Sequence, residues 1–232
     1  MSENALILYH GSDHIVDKPQ FGLGRTDNDY GSGFYTTEIL ARAEEWALLY
    51  GSDTAIINKY QLDIASLNII ELDNLGPLAW IAEVVSHRGV SSSVAKTFAA
   101  DFVRLYKPNT DLADVIVGYR ADDSYGDVIE SFLSGEITVD EVQKLFWKGE
   151  LGHQVFIKSQ QAFDALRYID YQRPKNLQNA GNNIVTARKE VLSFLQNRRI
   201  QIARRFQVPP ISIIDALEHQ YIYNKDAEYY EC

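Results

Sequence analysis

Residues 13 to 33 most limit the folds open to this chain. Asp, Gly, Asn and Pro recur there too densely for a helix or strand, which predicts a long ordered loop. Before it, Ala5 to Tyr9 is a short apolar run that reads as a buried strand entering His10-Gly11-Ser12. After it, Phe34 to Thr36 is extended again, and Thr37 is placed to cap a helix over Glu38 to Tyr50 that Gly51 stops.

The remaining elements follow no regular alternation. Extended segments are predicted at Thr54 to Leu62, Leu67 to Leu72, Ala113 to Tyr119, Gln154 to Lys158 and Tyr168 to Tyr171. Pro77 to Leu105 reads as two helices broken near Gly89, followed by Tyr125 to Leu133. Another helix starts at Thr138 in a capping box with Glu141, and Ser159 caps a short one. From about Pro174 the chain turns helical, over Val185 to Phe206 and, beyond Pro209-Pro210, Ile211 to His219. Without a strand–helix–strand rhythm the class is α+β and not a doubly wound parallel sheet. The predicted organisation is a main domain over 1–173 with a helical appendage over 174–232.

Bulk composition narrows the function. The chain has 232 residues, 46% of them apolar, and a net charge of −10. That acidity argues against binding nucleic acid through a general positive field, although a local basic patch can still act. A single cysteine, Cys232, excludes an internal disulfide and a cysteine-rich zinc site, and suits a reducing compartment. The absence of a basic start followed by a long apolar run, and of a membrane-length apolar segment, predicts a cytoplasmic protein without membrane association.

Two clusters carry chemistry. Tyr9-His10-Gly11 supplies an imidazole beside a residue without a Cβ, and Gly31-Ser32-Gly33-Phe34-Tyr35-Thr36-Thr37 precedes a helix that carries Trp46. An imidazole, close-approach backbone and two aromatic faces suit a flat cationic ring joined to a ribose. Gly22, Gly24, Gly31 and Gly33 do not form a dinucleotide fingerprint: their spacing is wrong and no Lys-Ser or Lys-Thr pair follows. Plainer roles stay open, with Tyr35 and Trp46 as core aromatics, Gly31 and Gly33 as turn residues, and Asp122-Asp123 as a strand terminator. No His lies near that Asp pair to complete a metal site, so no metal is expected.

Together these residues resemble the ADP-ribosyltransferase superfamily, in its His-Tyr-Glu branch with diphtheria-type toxins and poly(ADP-ribose) polymerases. The resemblance is closest to an uncharacterised bacterial family within it, and rests on Tyr9 to Ser12, Gly31 to Thr37, Trp46-Ala47 and Gln154 to Phe156 in order. It implies a split β-sandwich with flanking helices, and NAD as co-substrate. The implied catalytic set is His10, Tyr35 and Gln154. His10 would bond the adenosine ribose, Gly11 would offer its backbone to the nicotinamide amide, and Tyr35 would stack on the ring. Trp46, eleven residues after Tyr35 (46 − 35 = 11), would stack from the other side, as in polymerase-type members. Ser12 and Gly33 fall within the motifs that line the NAD site. Arg25 is the candidate for the diphosphate, on the chemistry of a planar guanidinium.

One position departs from the family pattern. A Glu is expected where Gln154 stands, and the loss of that charge opposite an oxocarbenium-like transition state would cost about 2–4 kcal/mol. Glu150, Asp122 and Asp123 are candidates for replacement charge or for the acceptor loop. The resemblance implies transfer of ADP-ribose to a protein, RNA or DNA acceptor, in toxin–antitoxin or phage-defence biology, with a neutralising antitoxin as a partner. Two alternatives stay open: an NAD-binding pseudoenzyme, motivated by Gln154, and a nucleic-acid-interacting protein acting through the basic helix with Arg188, Lys189, Arg198, Arg199, Arg204 and Arg205.

Overall fold

A computed structural model describes residues 4–49, 51–121, 123–148, 153–175, 182–205, 212–219, 221–224 and 228–230. In chain order the elements begin β1 (Ala5–Ser12), β2 (Phe34–Thr36), α1 (Leu40–Leu48), β3 (Ile56–Asp63), β4 (Ile69–Glu71), α2 (Gly76–Arg88), α3 (Ser93–Tyr106) and β5 (Val115–Tyr119). They continue as α4 (Asp123–Leu133), α5 (Val139–Lys148), β6 (His153–Ile157), α6 (Gln160–Ala165), β7 (Leu166–Gln172), α7 (Asn182–Arg205), α8 (Ile213–His219), β8 (Ile222–Asn224) and β9 (Glu228–Tyr230). The class is α+β.

The chain forms two compact units that interleave along the sequence. The first takes Met1–Glu71, Asn109–Arg120 and Leu151–Asn183, and the second takes Leu72–Pro108, Ala121–Glu150 and Ile184–Cys232. Compactness thus cuts the chain at several points along the sequence.

Both larger sheets lie in the first unit. One has the order β1-β3-β7 and is antiparallel throughout. The other has the order β2-β6-β5-β4, with only β4 and β5 parallel. Alternation along each strand decides which side chains face inward. Leu8, Tyr60 and Leu62 of the first sheet pack with Val115, Val155 and Ile157 of the second, and Phe34, Val117 and Phe163 close the same core. On the outer face of β1, Tyr9 packs with Ala43 and Ala47 of α1 and with Ile57. The long loop after β1 is tied down by Asn58, which is fully buried on β3. Its Nδ2 donates to Ser12 Oγ at 2.9 Å and to the His14 carbonyl at 3.2 Å, while Oδ1 accepts from Val16 N–H at 2.9 Å.

In the second unit, Phe102 of α3 and Phe132 of α4 meet edge to face at 5.7 Å, and Trp80 of α2 is buried. The Thr138–Glu141 capping box forms reciprocally, with bonds of 2.8 and 3.2 Å. Val191 and Leu195 bury one stripe of α7. Arg198 reaches Glu141 at 3.2 Å and Arg199 reaches Glu136 at 2.7 Å, so these two cations of the basic helix rest on carboxylates. The side chains of Arg188, Arg204 and Arg205 lie outside the described residues, and Lys189 is exposed. Among the described residues no helix is long and apolar enough to cross a membrane.

Thr37 differs from its predicted role. The helix begins at Leu40, and its N-cap residue, Ile39, makes no side-chain cap. Thr37 is held in the sheet instead: its backbone pairs with Tyr9, and its hydroxyl donates to the His153 carbonyl at 3.0 Å. The hydroxyl still accepts from Ile39 N–H at 3.2 Å, ahead of the helix proper.

Asn58→Ala should leave the Val16 amide and the loop after β1 without their buried partner, lowering stability by about 2–3 kcal/mol. Urea unfolding checks this, and a loss below about 0.5 kcal/mol would show that the loop holds itself.

Candidate active site

The site is built where the two sheets meet at their edges. β1 and β2 are edge strands, and one bridge joins them: Tyr9 N–H donates to the Thr37 carbonyl at 2.8 Å and Thr37 N–H to the Tyr9 carbonyl at 2.9 Å. In an antiparallel ladder backbone groups alternate sides. Since Tyr9 points both groups at β2, Gly11 does the same, and Gly11 is therefore a non-bonded pair with Ile57 on β3. Continued pairing would set Gly11 against Tyr35. Instead, His10 Nδ1 lies 2.7 Å from the Tyr35 carbonyl. A carbonyl only accepts, so His10 is protonated at Nδ1, and in the neutral ring Nε2 is an acceptor. The imidazole takes the place of a backbone donor and the strands part. Among the described residues nothing takes the N–H or C=O of Gly11.

The absent side chain of Gly11 has a separate cause. A Cβ there would stand 2.1 Å from the Ala43 carbonyl oxygen and 2.5 Å from Ala47 N, with Trp46 Cβ at 2.9 Å. The predicted reason, approach by a ligand, is replaced by approach of α1 to β1. Helix packing requires the glycine, and the same packing sets Trp46 beside it. Trp46 is half-buried, and the Arg120 guanidinium covers its ring at 4.6 Å from the centroid.

Tyr35, Phe156 and Gln154 share one face of the four-stranded sheet by register. The Tyr35 ring lies 4.7 Å from that of Phe156. Its hydroxyl accepts from Tyr30 N–H at 3.0 Å and donates to the Gly31 carbonyl at 2.8 Å, which pins the end of the long loop. Tyr30 is buried, and its own hydroxyl donates to the Tyr119 carbonyl at 2.6 Å. The residue before it, Asp29, is 7% exposed and accepts from Gln154 Nε2 at 2.8 Å. Gln154 itself is 2% exposed, and its Nε2 also faces the Tyr119 carbonyl at 3.2 Å. Two acceptors at one end of the amide fix that end as nitrogen, leaving Oε1 as an acceptor for another partner.

His10 is half-buried, with its ring 4.5 Å from Phe34. Burial pushes its pKa below the ordinary imidazole value of 6.5, against the bond to Tyr35, which raises it; the nearby His14 lowers it further.

The other predicted residues divide plainly. Ser12 is buried, and its hydroxyl is committed to the loop, donating to the His14 carbonyl and accepting from Asn58. Gly33 is a packing glycine: a Cβ would stand 2.3 Å from the Phe156 ring and 2.5 Å from the Ile157 carbonyl oxygen. Arg25 is exposed and grips Asp27 with two bonds, of 2.7 and 3.0 Å. Asp122 and Glu150 lie outside the described residues. Asp123 opens α4 in the second unit, and its side chain also lies outside them. Among the described residues no three His, Cys, Asp or Glu side chains gather as a metal set. Sequence reasoning missed Asp29 and Tyr30, because an Asp-Tyr in a turn-rich loop reads as turn chemistry, and also Asn58 and Arg120, whose partners are distant in sequence.

The fold and this edge-to-edge site define an α+β protein with two packed sheets and a polar constellation at their split. A family model described as protein of unknown function, DUF3990, matches residues 6–168, and the chain belongs to that family. No curated protein and no solved structure matches the chain significantly.

Because folding lowers the pKa of His10, the unfolded chain takes up a proton first as pH falls through 6.5. The stability His10 contributes above that value is lost below it. Between about pH 8 and about pH 5.5 the wild type should therefore lose more Tm than His10→Gln, and equal losses would contradict a neutral imidazole held between Phe34 and the Tyr35 carbonyl.

Proposed function

We propose that this chain is an NAD-dependent ADP-ribosyltransferase of the His-Tyr-Glu type, built on that superfamily's split β-sandwich. One observation carries the reading. The strands part immediately after the Tyr9–Thr37 bridge, and His10 takes the Tyr35 carbonyl that Gly11 would have used. Gly11 then turns an adjacent N–H and C=O toward the split, a donor–acceptor pair that matches a carboxamide. NAD fits the groups around it. The carboxamide of nicotinamide bonds to Gly11, aromatic rings from Tyr35 and Trp46 flank a cationic ring, and His10 Nε2 accepts a ribose hydroxyl. Gln154 Oε1 offers a further acceptor for ribose. Arg25 already holds Asp27, so it reaches a diphosphate only by exchanging partners.

The acceptor is a macromolecule, protein or nucleic acid, in the setting of a toxin or phage-defence effector with a neutralising partner. A second reading, an NAD-binding module without turnover, is favoured by Gln154, which brings no charge of its own to the ribose.

Purified protein incubated with NAD and a lysate tests both. Release of nicotinamide together with label on protein, RNA or DNA is expected, and His10→Ala or Tyr35→Ala should each reduce it by about a hundredfold. Stabilisation by NAD without nicotinamide release would favour the module. The absence of both NAD binding and nicotinamide release would overturn the proposal.

A further inference from the structure

We infer that Asp29 supplies the negative charge opposite the ribose, delivered from the loop and positioned by Gln154. The inference rests on the proposed reading. The position expected to hold a Glu holds a neutral amide, yet a carboxylate oxygen lies 2.8 Å from that amide's nitrogen. Asp29 is nearly buried, and Gln154 more so, so charge placed there acts where water screens it poorly.

Contacts of its neighbours locate Asp29. Tyr30, the next residue, is fixed by its N–H to the Tyr35 hydroxyl, by its own hydroxyl to the Tyr119 carbonyl, and by its ring, 5.9 Å from that of Phe156. Gln154 cannot turn its amide over without setting Oε1 against two other oxygens, the Asp29 carboxylate and the Tyr119 carbonyl. The loop is therefore clamped to β6 and to Tyr35 at adjacent residues. Gly24 and Gly33 let its two arms touch, since a Cβ on Gly24 would stand 2.5 Å from Gly33 N. A loop kept only for connection would need no such buried carboxylate.

The chemistry gives that charge a role. The bond between C1′ of the ribose and the ring nitrogen breaks with both electrons going to nitrogen. Nicotinamide leaves neutral, and its positive charge passes to C1′ and the ribose ring oxygen. The acceptor, either water or a nucleophile on a macromolecule, donates a pair to C1′ and releases its proton to solvent. A carboxylate fixed beside the ribose stabilises the charge as it develops. In this account Gln154 is a positioning residue for Asp29 and a ribose acceptor through Oε1.

The test separates charge from shape. Asp29→Asn keeps an oxygen to accept from Gln154, so a purely structural role survives it. The expected result is a fall in kcat for nicotinamide release of about a hundredfold, with little change in KM. Adding Gln154→Glu to Asp29→Asn moves the charge across the same hydrogen bond, and about tenfold of the loss should return. Activity of Asp29→Asn within about threefold of wild type would overturn the inference while leaving the transferase reading intact. If wild type binds NAD without cleaving it, the comparison becomes affinity for NAD, whose ring is cationic, against NADH, whose ring is neutral. Asp29→Asn should then abolish a preference for the cation, and an unchanged preference would overturn the inference. Wild type that neither binds nor cleaves NAD would bring down the reading and this inference with it.

Discussion

Two hydrogen bonds between Tyr9 and Thr37 make the backbone bridge between the edges of the two sheets. The arrangement of the first unit follows from what happens one residue later. Backbone alternation brings Gly11 to face Tyr35, and the imidazole of His10 takes that carbonyl first. A side chain has replaced a strand pair. The sheets diverge, and a backbone donor and acceptor are left facing the gap. The same step fixes the His10 tautomer, leaving Nε2 as the acceptor nitrogen of the neutral ring.

The glycine at this step is required for a different reason from the one its motif suggests. Its missing Cβ makes room for the backbone of α1, so closely that any side chain would overlap Ala43 and Ala47. The unpaired backbone groups of Gly11 follow from the strand geometry, whereas helix approach is what demands glycine. One residue thus couples two requirements, since displacing α1 would also displace Trp46 and the Arg120 cation stacked on it. A buried carboxylate is held with similar economy: the neutral amide of Gln154 on β6 pairs with Asp29 from the loop, and Tyr30 and Tyr35 bind that loop end to the sheet.

Much of the sheet framework was legible in the sequence. Apolar alternation and turn residues located the strands from β1 to β7 to within a few residues, and the Thr138–Glu141 and Ser159 caps form where hydroxyl and partner spacing put them. Gly89 breaks the helical stretch as its left-handed backbone requires. His10, Tyr35 and Gln154 fall in one compact unit. What was not readable depends on partners distant in sequence. Thr37 looks like a helix cap until Tyr9 and His153 are seen to claim it. Asp29 looks like a turn residue, and only Gln154, 125 residues away, gives it meaning. The interleaving of the two units has no local signal, since it depends on which helices bury their faces together. The short hairpin of β8 and β9 lies in a tyrosine-rich tail whose alternation is too brief to stand out.

The central claim is that the Gly11 backbone reads a carboxamide at the split between the sheets. The most direct measurement is the ¹H–¹⁵N spectrum of the labelled protein titrated with nicotinamide, following the Gly11 amide. A saturable shift of Gly11, accompanied by its neighbours on β1 and β2, is the predicted result. A Gly11 amide that stays in place while nicotinamide binds elsewhere, or does not bind at all, would contradict the account.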